Sequence, residues 1–273
     1  MTDYTIAIYC FIDGFLKNTG GKDESKRKMN DAEIMTTALV SCRYFSGNQA
    51  KGMHYMKAHF QVDLIDKSGY NRRLHGLSLQ LHLLFIGLGN TLKDLNTSCE
   101  YLIDSFPVAV CRNIRIPRNK ILDGVEAYRG KNASKREYFY GFKVQMVTTA
   151  AGVPVDYFIC AGSFADITAF KAMDIDLPEG STLYADSGYT EYEIEDLLKE
   201  CEGIDFLVER KSNSTRKDSP ALAYIKKHMR KRIETSFSEI NAFFPLKIHA
   251  VTPQGYLPKI FLFLFAYTLK RSI

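Results

Sequence analysis

Through the first third of the chain, apolar positions recur at helical intervals. Asn30 followed by Glu33 forms a capping-box signature and predicts a helix start. Ile34, Met35, Ala38, Leu39, Cys42 and Phe45 supply the apolar face of that helix. A smaller helix is expected over Gln49 to Phe60, and Ser68 is expected to cap a third. In the third, Leu74, Leu77, Leu81, Leu84 and Leu88 repeat at 3-4-3-4 spacing, which suits packing within a helical domain or a short coiled-coil seam. Residues 1–30 are weakly patterned, with a charged loop from Gly20 through Lys28. Residues 1–96 are therefore expected to form a helical domain, and Arg72 and Arg73 within it make it a candidate to contact DNA phosphate.

After Gly87, Gly89 and Asn90 the period shortens. Tyr101 to Phe106 reads as a strand with one acid, Asp104, in an apolar setting, and Pro107 is expected to end or bulge it because proline cannot donate to a ladder. A hairpin follows, Gly141 to Thr149 and Val153 to Ala161, turning at Ala151-Gly152. Phe142, Val144 and Met146 face one way, Lys143 and Gln145 the other. A short helix from Asp166, a strand ending at Asp186, a helix to Cys201–Gly203 and a strand over Ile204 to Val208 come next. A long helix is expected from Pro220 to Phe244, with Leu222, Ile225, Met229, Ile233, Phe237, Ile240 and Phe244 buried. The apolar segment Leu257 to Leu269 is expected to cover the sheet. The order predicts a mixed α/β layer domain over 97–273.

Composition narrows the function classes. A hydrophobic content of 46% supports a packed core. The six cysteines include no CxxC pair and the six histidines no HExxH, so neither a zinc site nor a disulfide framework is suggested. The longest apolar run, Ile260 to Ala266, is far short of a membrane span, and no signal-peptide pattern opens the chain, so a cytoplasmic protein is expected.

The net charge of +5 is mild, but it is unevenly distributed. Arg112 to Lys143 holds nine Lys/Arg against three acids, and Val208 to Arg232 nine against two; Asp166 to Asp205 between them holds twelve acids and two bases. Basic blocks flanking an acidic centre suit a polyanion held over bound cations. Lys131, Lys135, Arg136, Arg210, Lys211 and Arg232 are candidate phosphate contacts or solvated charges. So are Arg72 and Arg73, which fall early in the third helix, where cations oppose its dipole. Tyr138, Phe139 and Tyr140 serve either core packing or base stacking.

Asp186 sits at the carboxyl end of a strand, where open α/β sheets place ligands. It either caps the following helix or needs donors, a base or a metal. Glu234 flanks the buried stripe of the long helix and has a simple i,i+4 partner in Arg230. Asp104, Asp186 and Glu234 can be placed together, and three acids converge without large repulsion only around cations. Hard oxygen ligands favour Mg²⁺ or Mn²⁺, and two such ions suit phosphodiester chemistry.

Four pieces carry a family resemblance: Leu102-Ile103-Asp104-Ser105, Tyr140-Gly141-Phe142-Lys143, Ala185-Asp186-Ser187-Gly188-Tyr189 and Arg232-Ile233-Glu234-Thr235-Ser236-Phe237. In this order the chain resembles the DDE transposases of bacterial insertion sequences. The 47-residue gap between Asp186 and Glu234, the Asn30-Asp31-Ala32-Glu33 helix start and Gly69-Tyr70-Asn71-Arg72-Arg73 are similar to the insertion-sequence family numbered 982. The resemblance implies an RNase H-like catalytic domain after a helical N-terminal domain, with Asp104, Asp186 and Glu234 as catalytic residues binding two Mg²⁺ or Mn²⁺ ions. It further implies nicking of transposon ends, attack of the freed 3′-hydroxyl on target DNA, and a DNA phosphate contact from Lys143. Some related enzymes carry a lysine a turn or two beyond the glutamate, where this chain has Glu239, Ile240 and Asn241. A homodimer on DNA is expected from the need to join two ends. A non-cutting, transposase-derived DNA-binding protein is the alternative.

Overall fold

A computed structural model describes residues 1–20, 27–132 and 136–273. They form two compact units, one of Met1–Leu88 with Phe243–Ile273, the other of Gly89–Ala242.

The first unit is helical. Its opening helix, α1 (Thr2–Asn18), lies in the segment whose sequence is weakly patterned, yet Thr5, Ile8 and Ile12 are buried at i, i+3, i+7 spacing. The predicted capping box holds in α2 (Asp31–Phe45): Glu33 N–H donates to Asn30 Oδ1 at 2.7 Å and Asn30 N–H to Glu33 Oε2 at 2.8 Å. Ala32 through Cys42 of α2 are almost continuously buried, because α1, α3 (Gln49–Phe60) and α4 (Lys67–Gly76) all pack on it.

The third predicted helix is two helices. Asp66, not Ser68, caps α4 through Gly69 N–H. The chain breaks at Leu77, whose N–H is shared between the Arg73 and Leu74 carbonyls, before α5 (Ser78–Asp94) begins. The leucine stripe survives the break, with Leu77, Leu81 and Leu84 buried. The last helix, α9 (Pro253–Ser272), expected to cover the sheet, belongs instead to the helical unit and packs on α2. Phe261 and Phe265 meet Phe85 edge-to-face there, which explains why this apolar helix is buried along most of its length. No described helix is long and apolar enough to cross a membrane.

The second unit is a mixed α/β layer built on β1 (Glu100–Cys111), β2 (Arg129–Asn132), β3 (Glu137–Thr149), β4 (Pro154–Ala161), β5 (Thr182–Ala185) and β6 (Asp205–Val208). The described strands follow the order β2-β3-β1-β5-β6, with β4 also pairing β3. β3 is antiparallel to its neighbours, whereas β1, β5 and β6 run parallel.

β1 does not stop at Pro107. Proline pairs with Lys143 and the strand continues, with an irregularity only between Ala109 and Cys111. β5 pairs with β1 only as far as Ile103, so beyond that point the edge away from β3 needs no donor and proline costs no ladder bond.

Alternation along the parallel strands makes two faces. Tyr101, Ile103, Leu183, Ala185, Phe206 and Val208 point into a core with Phe170 of α6 (Asp166–Lys171), and Ile194 and Leu198 of α7 (Tyr192–Cys201) pack against it. On the opposite face lies α8 (Pro220–Phe243), where Phe237 meets Phe106 edge-to-face. Ile225, expected in the buried stripe of α8, is exposed. Lys226 takes the inward position, donating to the Val208 carbonyl at 3.0 Å and to Asp218 at 2.7 Å.

Candidate active site

The site begins with register. Ile103 pairs with Ala185 and Ala185 with Val208, so these residues form one row across β1, β5 and β6. Each is followed by a carboxylate: Asp104, Asp186 and Glu209. Alternation turns these acids away from the core and toward the face that α8 occupies. Glu209 extends the row by a backbone bond, its N–H reaching the Ala185 carbonyl at 3.0 Å.

Asp104 accepts the Ser105 backbone N–H at 2.7 Å. Burial nevertheless pushes its carboxyl up to about 7, and Asp186 and Asp166 reinforce the rise, while the Ser105 bond and Arg230 oppose it. Asp186 caps the 3-10 turn Ser187–Tyr189, accepting Gly188 N–H at 2.7 Å. Its carboxyl is also raised, by burial first and by Asp166 and Glu209, against Gly188 N–H and Arg230. The capping role and the site role therefore coexist in one side chain.

Asp166, at the start of α6, is a fourth carboxylate that the sequence marks only as a helix beginning. Its Oδ1 accepts from Ser105 Oγ at 2.7 Å, Lys143 Nζ at 3.1 Å and Gln145 Nε2 at 3.2 Å. Gln145 is fully buried and accepts in turn from the Tyr189 hydroxyl. A β-carbon on Gly188 would stand 2.9 Å from Asp186 Oδ1 and 3.2 Å from Asp166 Oδ2, so glycine there lets the two carboxylates approach the same turn.

Glu234 lies on α8 with its side chain 63% exposed, in the i,i+4 pair with Arg230 at 3.2 Å. Arg230 also binds Glu209 Oε2 at 2.6 Å, and it is the cation that Asp104 and Asp186 both feel. Arg230 thus gathers the acids of the row and of the helix around one guanidinium. Among the described residues, no three His, Cys, Asp or Glu side chains form a group arranged to hold a metal ion. Asp104 and Asp186 are brought together; Glu234 remains with Arg230.

The candidate phosphate contacts divide in two. Arg72, Lys131, Arg136 and Lys211 are exposed, Lys131 lying over the exposed Tyr138 ring. The rest of the described set is engaged by the protein. Arg73 binds Asp31 and the Met29 carbonyl. Lys143 binds Asp166 and the Phe164 carbonyl. Arg210 makes a bidentate pair with Glu195 and lies over Tyr192, and Arg232 donates to the Ala150 carbonyl at 2.6 Å. Lys135 falls outside the described residues. Phe139 and Tyr140 are buried, which leaves Tyr138 as the exposed ring of the three.

Residues 95–250, more than half of the chain, match the family model for the transposase DDE domain. This span contains Asp104, Asp166, Asp186, Glu209 and Glu234. No curated protein and no solved structure matches the chain.

Proposed function

The chain belongs to the transposase DDE domain family, and from that premise we propose that it is a metal-dependent DNA transposase that nicks transposon ends and joins the freed 3′-hydroxyl to target DNA. The mixed sheet suits an RNase H-like domain. The observation that carries the reading is the position of Asp104 and Asp186, each the residue next after Ile103 and Ala185, the last pair of the β1–β5 ladder.

The donor set fits a hard divalent cation. Two carboxylates, each raised by burial and by its acidic neighbours, form a negative site short of positive charge, and carboxylate oxygen is the ligand that Mg²⁺ and Mn²⁺ prefer. In this reading Asp104 and Asp186 hold the metal, and Glu234 joins them once its pair with Arg230 opens. A bound pair of such ions supplies charge stabilisation at the scissile phosphodiester.

The chain's own residues orient the site. Asp166 and Gln145 fix the Ser105 and Tyr189 segments on either side of the acids. Arg72, Lys131, Arg136 and Lys211 supply exposed cations for DNA phosphate. Joining two ends calls for two copies, so the working form is a homodimer on DNA, at the nucleoid.

The test is Mg²⁺-dependent cleavage of duplexes carrying the sequence that flanks the gene, comparing the native chain with Asp186→Asn. The native chain nicks; the variant binds without nicking. Equal cleavage by both removes Asp186 from the chemistry. The Arg230–Glu234 pair favours a second reading, a non-cutting DNA-binding protein, and a native chain that binds these duplexes but never nicks them establishes it.

A further inference from the structure

The helical unit contains an open cavity of about 790 Å³ with a basic lining. Lys51, Lys67, Lys247 and Lys259 line it, the floor includes Cys42 and Phe263, and no carboxylate contributes. Elsewhere in the same unit cations have acidic partners, Lys17 with Asp13 and Arg73 with Asp31. Among the described residues, none of the four cavity lysines has an ion pair of that kind; Lys259 donates only to the His249 carbonyl. Burial and the nearby Lys67 both push the Lys259 ammonium down, as expected for like charges gathered around one cleft.

The backbone wall is built to the same end. Ser46 and Gly47 are both left-handed, with φ of 49° and 78°, and turn the chain sharply from α2 into α3. Only glycine fits the second position, because a β-carbon would lie 2.8 Å from the Phe263 ring. The turn leads into the start of α3, and Ser46 to Ala50 all line the cavity. Asn48 caps the Lys51 N–H at 3.1 Å, and the other first-turn amides of a helix have no intrahelical acceptor.

We infer that this cavity is a phosphate-binding site that seats the backbone of duplex DNA. The choice of DNA rests on the transposase reading; the phosphate chemistry rests on the lysines, the helix start and the absence of any acid in the lining. A phosphodiester supplies the anion that the four ammonium groups lack, and it carries no sequence information, so the site contributes affinity and register.

The test uses the full chain in EDTA and a fluorescent random-sequence duplex, with binding followed by anisotropy across a salt series. Lys67→Gln/Lys259→Gln is compared with the native chain and with Lys17→Gln/Lys57→Gln, which removes two charges outside the cavity. The expected result is a slope of log affinity against log salt reduced by about two in the cavity variant, with the control unchanged. Circular dichroism and the melting temperature establish that each variant is folded. A cavity variant that matches the native slope overturns the inference, as does an equal loss in the control. Inorganic pyrophosphate that raises the native melting temperature while the DNA slope is unaffected makes this a small-anion site and overturns the assignment to DNA. No divalent ion is present, so the outcome is independent of strand cutting: loss of the Asp186 reading and loss of this one are separate results.

Discussion

Asp104 and Asp186 stand beside each other because Ile103 and Ala185, the residues before them, are the last pair in the parallel β1–β5 ladder. The distance along the chain, 81 intervening residues, is irrelevant once that pair forms. Register alone sets which side chains meet, and a slip of one residue in either strand would turn that strand's acid into the core.

The carboxyl of Asp104 makes stability depend on pH in a definite direction. Its folded value of about 7 lies above the ordinary aspartate value of about 3.9. Between these values the folded state binds more protons than the unfolded one, so stability falls as pH rises, by at most about 1.4 kcal/mol per unit. Urea unfolding in EDTA is expected to show this decline from about pH 4 to 7 in the native chain and a flatter profile in Asp104→Asn. Parallel profiles in the two proteins contradict the assignment.

Arg230 supplies a positive charge to the acids that a divalent ion would supply instead. Arg230→Gln releases Glu209 and Glu234 from exposed or half-exposed pairs, which contribute only about 0–1 kcal/mol each. The expected result is a slightly less stable protein without metal and a larger rise in melting temperature on adding Mg²⁺ than the native chain gives. A smaller Mg²⁺ response in the variant counts against competition between the guanidinium and the ion.

Asp166 holds three donors, one of them the Lys143 ammonium, whose side chain is only 12% exposed. Removing one partner of such a pair strands the other, at a cost of about 3 kcal/mol. Chemical denaturation should show that loss for Asp166→Ala, and Lys143→Met/Asp166→Asn should recover part of it. A loss for Asp166→Ala within about 0.5 kcal/mol, the range of ordinary surface changes, makes the network dispensable.

Lys226 ties α8 to the end of β6 through the Val208 carbonyl and Asp218. Lys226→Ala is expected to cost about 3–5 kcal/mol, because Asp218 is left buried without its cation. Hydrogen exchange gives the sharper readout: protection should drop along α8 before it drops in β1. Uniform loss across both elements means that Lys226 stabilises the unit generally and does not anchor the helix.

Local chemistry made some of this legible from the residues. Asn30 and Glu33 announce α2 because the capping box is closed within four residues, and the β3–β4 hairpin shows in its alternation and in Gly152, whose φ is 79°. Asp186 was visible as an acid at a strand end. Glu209 was not, because its place in the row depends on β5–β6 register, which no single segment encodes. Asp166 looked like an ordinary helix start, since the Ser105, Lys143 and Gln145 donors come from two other strands. The leucine stripe hid the break at Leu77, because buried positions keep their phase across it.

The helical unit is assembled from two segments that flank the α/β unit along the chain, with α9 completing the packing around α2. During synthesis the ribosome releases the sheet and its row of acids before α9 exists, so the first helices must wait with apolar surface uncovered. A premature stop between residues 243 and 253 would spare the whole α/β unit and still leave the helical unit without α9.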